Sequence, residues 1–171
     1  MEKSIALLKE TALFKNLTPT EIGKILKIAR EVTFAEGDVV MKEGDFGDTL
    51  YIIEKGTVEV AKCLTMEGMD DDDSAMEANK VFTRLDASQH AVFGEIALLE
   101  DTKRTATIRA VTDCVLLEIR KDDFLQLAEN DNQLGYRILL NLARIVSARL
   151  RKADEDTIKL TTALSIILKE S

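Results

Sequence analysis

Residues 44–60 read Gly-Asp-Phe-Gly-Asp-Thr-Leu-Tyr-Ile-Ile-Glu-Lys-Gly-Thr-Val-Glu-Val. Two runs rich in β-branched and aromatic residues, Leu50 to Ile53 and Thr57 to Val60, stand on either side of Gly56, with a second glycine cluster ahead of the first. Such runs, punctuated by residues that accept backbone angles others avoid, predict strands joined by tight turns. The same texture extends from Val32 to Arg120, where Glu36-Gly37-Asp38, Glu43-Gly44-Asp45 and Lys55-Gly56-Thr57 mark turns. Gly37, Gly44, Gly47 and Gly56 are therefore all read as turn glycines. Closely spaced strands with short connections predict a mainly β fold, an antiparallel β-roll or jelly roll with flanking helices.

On the N-terminal side, residues 4–16 have helical character. Thr18-Pro19-Thr20-Glu21 is then a helix start: a threonine cap, proline at the first helical position, and a glutamate placed to close a capping box. Ile22, Ile25, Leu26 and Ile28 follow at helical spacing. On the C-terminal side, Cys114 to Ile119 reads as a final strand, and a helix begins near Asp122, breaks at Asn130-Asp131-Asn132 and resumes at Gln133. In the resumed helix Leu139, Leu142, Val146, Leu150, Ala153, Leu160, Leu164 and Ile167 recur at intervals of three, four or seven or at their multiples, a sustained apolar seam. Either this seam packs back on the barrel or two chains pair along it. Arg144, Arg149 and Arg151 are read as solvated. The expected organisation is a β-roll with N-terminal helices over 1–130 and a helical region, lid or dimerisation element, over 131–171.

A chain of 171 residues with 46% hydrophobic residues and one proline predicts a packed core. The formal net charge of −8 argues against broad binding to nucleic acid or anionic membranes, so an anionic ligand would have to be drawn locally. Cys63 and Cys114 both fall in apolar, strand-like sequence and read as reduced core residues, not as a disulfide or a metal site. No segment reaches the ~20 apolar residues of a membrane span, and the charged N-terminus lacks a signal-peptide core, so the expected location is the cytoplasm. Asp70 to Asp73 lack the central glycine of a calcium loop and read as a solvated acidic loop. His90 is the sole histidine, and no nucleophile has an evident base, so no enzyme activity and no metal are expected.

Residues 93–107, Phe-Gly-Glu-Ile-Ala-Leu-Leu-Glu-Asp-Thr-Lys-Arg-Thr-Ala-Thr, carry the chemistry. Gly94 lets backbone approach a ligand, the following residues can form one helical turn facing an anion, and Arg104 offers a planar cation for phosphate. Glu95 would repel phosphate and is suited instead to accept a hydrogen bond from a neutral hydroxyl such as a ribose 2′-OH. Ala97 and Ala106 are small where a phosphate would approach.

This run resembles the phosphate-binding cassette of the cyclic nucleotide-binding domain family, F-G-E-[LI]-A-L-[LI] with a closing R-[TAS]-A-T. Residues 44–60 are similar to the first half of that family's barrel. Lys103 departs from the proline common before the arginine, which predicts a less rigid loop and weakened binding. Leu85 to Ala91 departs from the usual glycine-containing turn. The resemblance implies a cyclic AMP or cyclic GMP ligand held by Phe93, Gly94, Glu95, Ile96, Ala97, Arg104, Thr105 and Ala106, with no cofactor. It also implies a regulatory role in signalling, pairing of two chains along the C-terminal helix as in bacterial relatives, and an unidentified effector protein. Too few residues follow that helix for the DNA-binding module of the transcription-regulator branch, so direct DNA binding is not expected. Thr105 leaves base choice open. Asp154 and Glu155 could accept the base's amino protons or be solvated helix surface. The alternative is an oligomerisation or docking protein that keeps the barrel and has lost ligand control.

Overall fold

In the computed structural model, which describes residues 2–64, 78–89 and 91–169, the strand Thr49–Lys55 (β3) is buried on both faces over Leu50 to Ile53. Alternation explains how. Leu50 and Ile52 point one way, into a core shared with the helices, while Tyr51 and Ile53 point the other way, into the interior of the roll. A strand with two apolar faces must lie between two layers, and β3 does.

The other strands are Ala29–Phe34 (β1), Val39–Met41 (β2), Thr57–Leu64 (β4), Ala78–Asp86 (β5), Val92–Phe93 (β6), Thr107–Ala110 (β7) and Cys114–Arg120 (β8). They form two four-stranded antiparallel sheets, ordered β1-β8-β3-β6 and β2-β7-β4-β5. This is the expected β-roll. Gly37, Gly44 and Gly56 have φ of 90°, 85° and 94°, as turn glycines should. Cys114 is a buried free thiol in β8, its proton affinity raised first by burial; Cys63 lies in β4. The run Asp70 to Asp73 and His90 lie outside the described residues.

The N-terminal helical stretch is shorter than its sequence suggests. The helix Glu2–Glu10 (α1) gives way to a 3-10 turn over Ala12–Phe14, because Thr11, fully buried, turns its hydroxyl back to the Leu7 carbonyl at 3.0 Å. The next helix, Pro19–Ile28 (α2), starts as predicted. Thr18 Oγ1 accepts from the Glu21 backbone N–H at 3.3 Å, and the Thr18 N–H donates to Glu21 Oε2 at 2.7 Å. That backbone hydrogen bond is the largest cause holding the Glu21 carboxyl below its ordinary value of 4.5, with the Arg137 guanidinium adding to it. A depressed carboxyl contributes stability above its unfolded pKa and loses it as pH falls through the folded pKa. Thr18→Ala is expected to cost about 1 kcal/mol at neutral pH. Alanine keeps the backbone bond and loses only the one that the Thr18 hydroxyl donates to Glu21 Oε2 at 2.9 Å, so in chemical denaturation the difference from wild type should shrink in part once pH falls below the Glu21 titration.

At the other end, the helices Lys121–Asn130 (α3) and Asn132–Lys169 (α4) break where the sequence places the break. Leu134, Ile138 and Leu142 bury one face of α4 in the core between sheet and helices, and the Asn141 amide donates to the Leu13 and Lys15 carbonyls at 3.1 and 2.9 Å. These bonds tie α4 to the orphan acceptors of the N-terminal turn. Beyond Ile145, every described residue except Asp156 is exposed. Of the predicted apolar seam only Leu142 is buried, while Leu150, Leu160, Leu164 and Ile167 are 55–72% exposed. The first half of α4 packs back on the domain, and the second half of a helix about 57 Å long runs on with its side chains exposed.

Candidate functional site

The cassette enters the site at the end of β6. Gly94 takes φ 75° and is followed by one 3-10 turn over Glu95–Leu98, closed by the Ala97 N–H on the Gly94 carbonyl at 3.2 Å. The turn faces a cavity of about 320 Å³ between the cassette and the inner wall of the roll, a size in the range of small-molecule sites. All eight sequence-predicted residues, Phe93, Gly94, Glu95, Ile96, Ala97, Arg104, Thr105 and Ala106, line it.

Arg104 lies at the floor, 9% exposed. Its Nη1 donates to the Thr49 carbonyl at 2.8 Å and its Nη2 to Thr49 Oγ1 at 2.7 Å. Around Lys103 the loop is held by backbone bonds. Arg104 N–H donates to the Asp45 carbonyl at 2.7 Å, Gly44 N–H donates to the Arg104 carbonyl at 2.9 Å, and Phe46 bridges Lys103. Gly47 is not a turn glycine in the sense the sequence suggested. It has no positive φ, and a Cβ there would stand 2.2 Å from Arg104 Nε. A side chain there would have to displace the guanidinium, which lies against the backbone.

Glu95 is 5% exposed, and a buried carboxylate needs a cation. Arg149 supplies it, through an ion pair of its Nη1 with Glu95 Oε1, while its Nη2 donates to the Val92 carbonyl at 2.8 Å. Arg149, read from sequence as solvated, is thus a wall of the site: its side chain stays 49% exposed, but its head reaches the cassette from α4. A signal was available. Arg149 follows Leu142 by seven positions and Ile145 by four, so it continues the packed face of the helix. Arg144 and Arg151 do remain at the exposed surface, and Asp154 and Glu155 are exposed and do not line the cavity.

The charged side chains lining the cavity are Lys103, Arg104 and Arg149 against Glu95. An excess of cations in a chain of net charge −8 marks a place for an anion. The opposite wall, formed by Met41, Val60, Leu85 and Ile108 with Thr83 among them, is apolar and was not anticipated from sequence. One end of the cavity therefore suits an anion next to a hydroxyl-bearing group, and the other suits a flat apolar one. Among the described residues no group of side chains could hold a metal ion, and no helix is long and apolar enough to cross a membrane.

The model of the family described as cyclic nucleotide-binding domain matches residues 31–131. The chain belongs to this family. The cyclic nucleotide-binding domain is similar to the cAMP-dependent protein kinase regulatory subunit of Blastocladiella emersonii, with 38% identity over 122 residues, 71% of this chain and 27% of the relative. It is 34% identical over 127 residues to a cGMP-dependent protein kinase of Drosophila melanogaster, covering 72% of this chain and 10% of that protein. The crystal structure of Thermus thermophilus catabolite activator protein superposes with a TM-score of 0.73 at 26% identity, over 88% of this chain and 63% of the other. The domain thus spans about a quarter of the fungal relative and a tenth of the fly kinase.

Proposed function

We propose that the domain is a cytoplasmic sensor module that binds cAMP or cGMP in this cavity and couples the ligand to the position of its C-terminal helices. The ligand phosphate meets Arg104, the ribose hydroxyl meets Glu95, and the base lies along the apolar wall with Thr105 at the rim. The observation that carries the reading is the ion pair of Glu95 with Arg149. It joins the sugar-reading carboxylate to the long helix through a single contact. A ribose hydroxyl arriving at Glu95 competes with or reinforces that pair, so ligand has a differential interaction with two placements of α4, as any coupling requires. On this reading residues 1–130 are the binding unit and 131–171 the responding one. The exposed Leu150, Leu160 and Leu164 on α4 support a homodimer formed along that helix, with an effector protein downstream.

Parallel calorimetric titrations against cAMP and cGMP test the reading. Binding should raise the melting temperature with ligand concentration, by about 2.7 kcal/mol of linkage at a hundredfold excess over Kd, or roughly 5–10 °C for a chain of this size. Absence of heat with both nucleotides at millimolar concentration would sink it. Arg149→Ala should preserve most of the affinity yet abolish the ligand-induced change in amide exchange along α4; an unchanged response would remove Arg149 from the coupling.

A further inference from the structure

Arg104 is held by more than its own backbone. The guanidinium has five N–H donors in a fixed plane, and two of them are spent on one residue, Thr49. The bond to the Thr49 carbonyl could be supplied by any amino acid. The bond to Oγ1 needs a hydroxyl, and that hydroxyl is itself oriented. Thr49 Oγ1 donates to the Tyr51 phenol oxygen at 3.1 Å, and the phenol donates to Glu118 Oε2 at 3.1 Å. Tyr51 and Glu118 are direct cross-strand partners in β3 and β8, so the register of the sheet fixes the end of the chain. The phenol is buried and stacked on Phe93 with ring centroids 5.3 Å apart. Its pKa is raised, first by burial and then also by the Glu118 charge, which keeps it a donor at neutral pH.

All three bonds run in one direction, from the Arg104 cation through two hydroxyls to the Glu118 anion. Each link polarises the next and leaves Thr49 Oγ1 with its lone pairs toward the guanidinium. On the other side Gly47 leaves no room for a Cβ at Nε. A guanidinium gripped at one edge and faced by backbone at the other has one available plane. A free arginine would instead lose side-chain entropy on meeting its ligand.

We infer that Thr49 is the positioning residue of the phosphate arm: its hydroxyl, held by Tyr51 and Glu118, sets the plane of the Arg104 guanidinium and so selects which phosphate oxygen that guanidinium meets. The ligand half of this inference rests on the reading that Arg104 binds the cyclic phosphate; the fixing of the guanidinium does not.

The test compares wild type with Thr49→Val, which keeps the shape and the carbonyl but removes the hydroxyl, with Thr49→Ser, which returns it, and with Tyr51→Phe, which cuts the next link. Valine suits a strand, so the variants should fold, as thermal melts would verify. Affinity for cAMP is expected to fall about tenfold in Thr49→Val, by a few-fold in Tyr51→Phe, and to recover in Thr49→Ser. The decisive reading uses the two phosphorothioate diastereomers of cAMP, in which sulfur replaces one or the other exocyclic oxygen. Wild type and Thr49→Ser should discriminate between them, and Thr49→Val should lose most of that discrimination. An equal loss for both diastereomers, or no rescue by serine, would reduce Thr49 to a strand residue and overturn the inference. A second measurement needs no ligand: rotation of the Arg104 guanidinium about Nε–Cζ, followed by NMR exchange in the free protein, should be slow in wild type and faster in Thr49→Val. Faster rotation in a protein that binds neither nucleotide would uphold Thr49 as the residue fixing Arg104 while refuting the ligand assignment. Unchanged rotation would overturn the positioning whatever binds.

Discussion

Arg104→Ala is expected to weaken cyclic-nucleotide binding by about one to two powers of ten. Charge-assisted hydrogen bonds contribute about 1.5–3 kcal/mol each, and the alanine loses the planar cation at the floor of the cavity. The surroundings make the loss hard to compensate. Lys103, the neighbouring cation, lies with its Nζ 5.9 Å from the centre of the Phe46 ring, and Arg149 is committed to Glu95 and the Val92 carbonyl. Arg104→Lys keeps the charge but not the fork that spans the Thr49 carbonyl and hydroxyl, so its affinity should fall between the two. Calorimetric titration of the three proteins decides the matter. Equal affinity in wild type and Arg104→Ala would remove the phosphate from this arginine and with it the proposed pose.

Gly94→Ala is expected to be the most damaging single methyl group in the site. At φ 75° an L-residue is strained by about 1–2 kcal/mol. The added Cβ would also stand 2.7 Å from the Thr49 carbonyl oxygen and 3.0 Å from Arg104 Nη1, across the hydrogen bond that seats the guanidinium. The carbonyl belongs to Thr49 of β3, which is paired with Arg120 of β8, so it cannot retreat without disturbing the sheet. A stability loss of about 2–3 kcal/mol, or roughly 5–10 °C in melting temperature, should accompany a loss of nucleotide affinity. Gly23→Ala is the control. Gly23 lies inside α2 with nothing within 4 Å of the new methyl, so alanine should leave stability unchanged or raise it by up to about 1 kcal/mol. Melting of Gly94→Ala within about 1 °C of wild type, a shift worth well under 1 kcal/mol, would show that the loop relaxes freely and that the close approach is not a constraint.

The contrast between Gly94 and Gly47 shows what could be read in advance. Gly94 sits inside a contiguous motif whose turn, carboxylate and arginine are neighbours in the chain, so its role is written in adjacent letters. Gly47 sits among glycines that do make turns, and nothing local separates it from Gly44. What sets it apart is a side chain 57 positions later in the sequence, folded against its backbone. Arg149 is an intermediate case. Its charge resembles that of Arg144 and Arg151, and its spacing from Leu142 and Ile145 continues the packed face of α4, but its partner Glu95 lies 54 positions away and is met only in the fold.

The roll, the helix start at Thr18, the break before α4 and the turn, carboxylate and arginine of the cassette are legible along the chain. Each of these is set by local backbone preference or by a short contiguous motif, and neither depends on distant residues. That Gly47 lies against Arg104, that Thr49 bonds its guanidinium, that the wall opposite the cassette is apolar, and that Arg149 meets Glu95 emerge only in the fold. These are contacts between strands and helices far apart in the chain, and they exist because antiparallel pairing and the burial of one helix face bring the parts together.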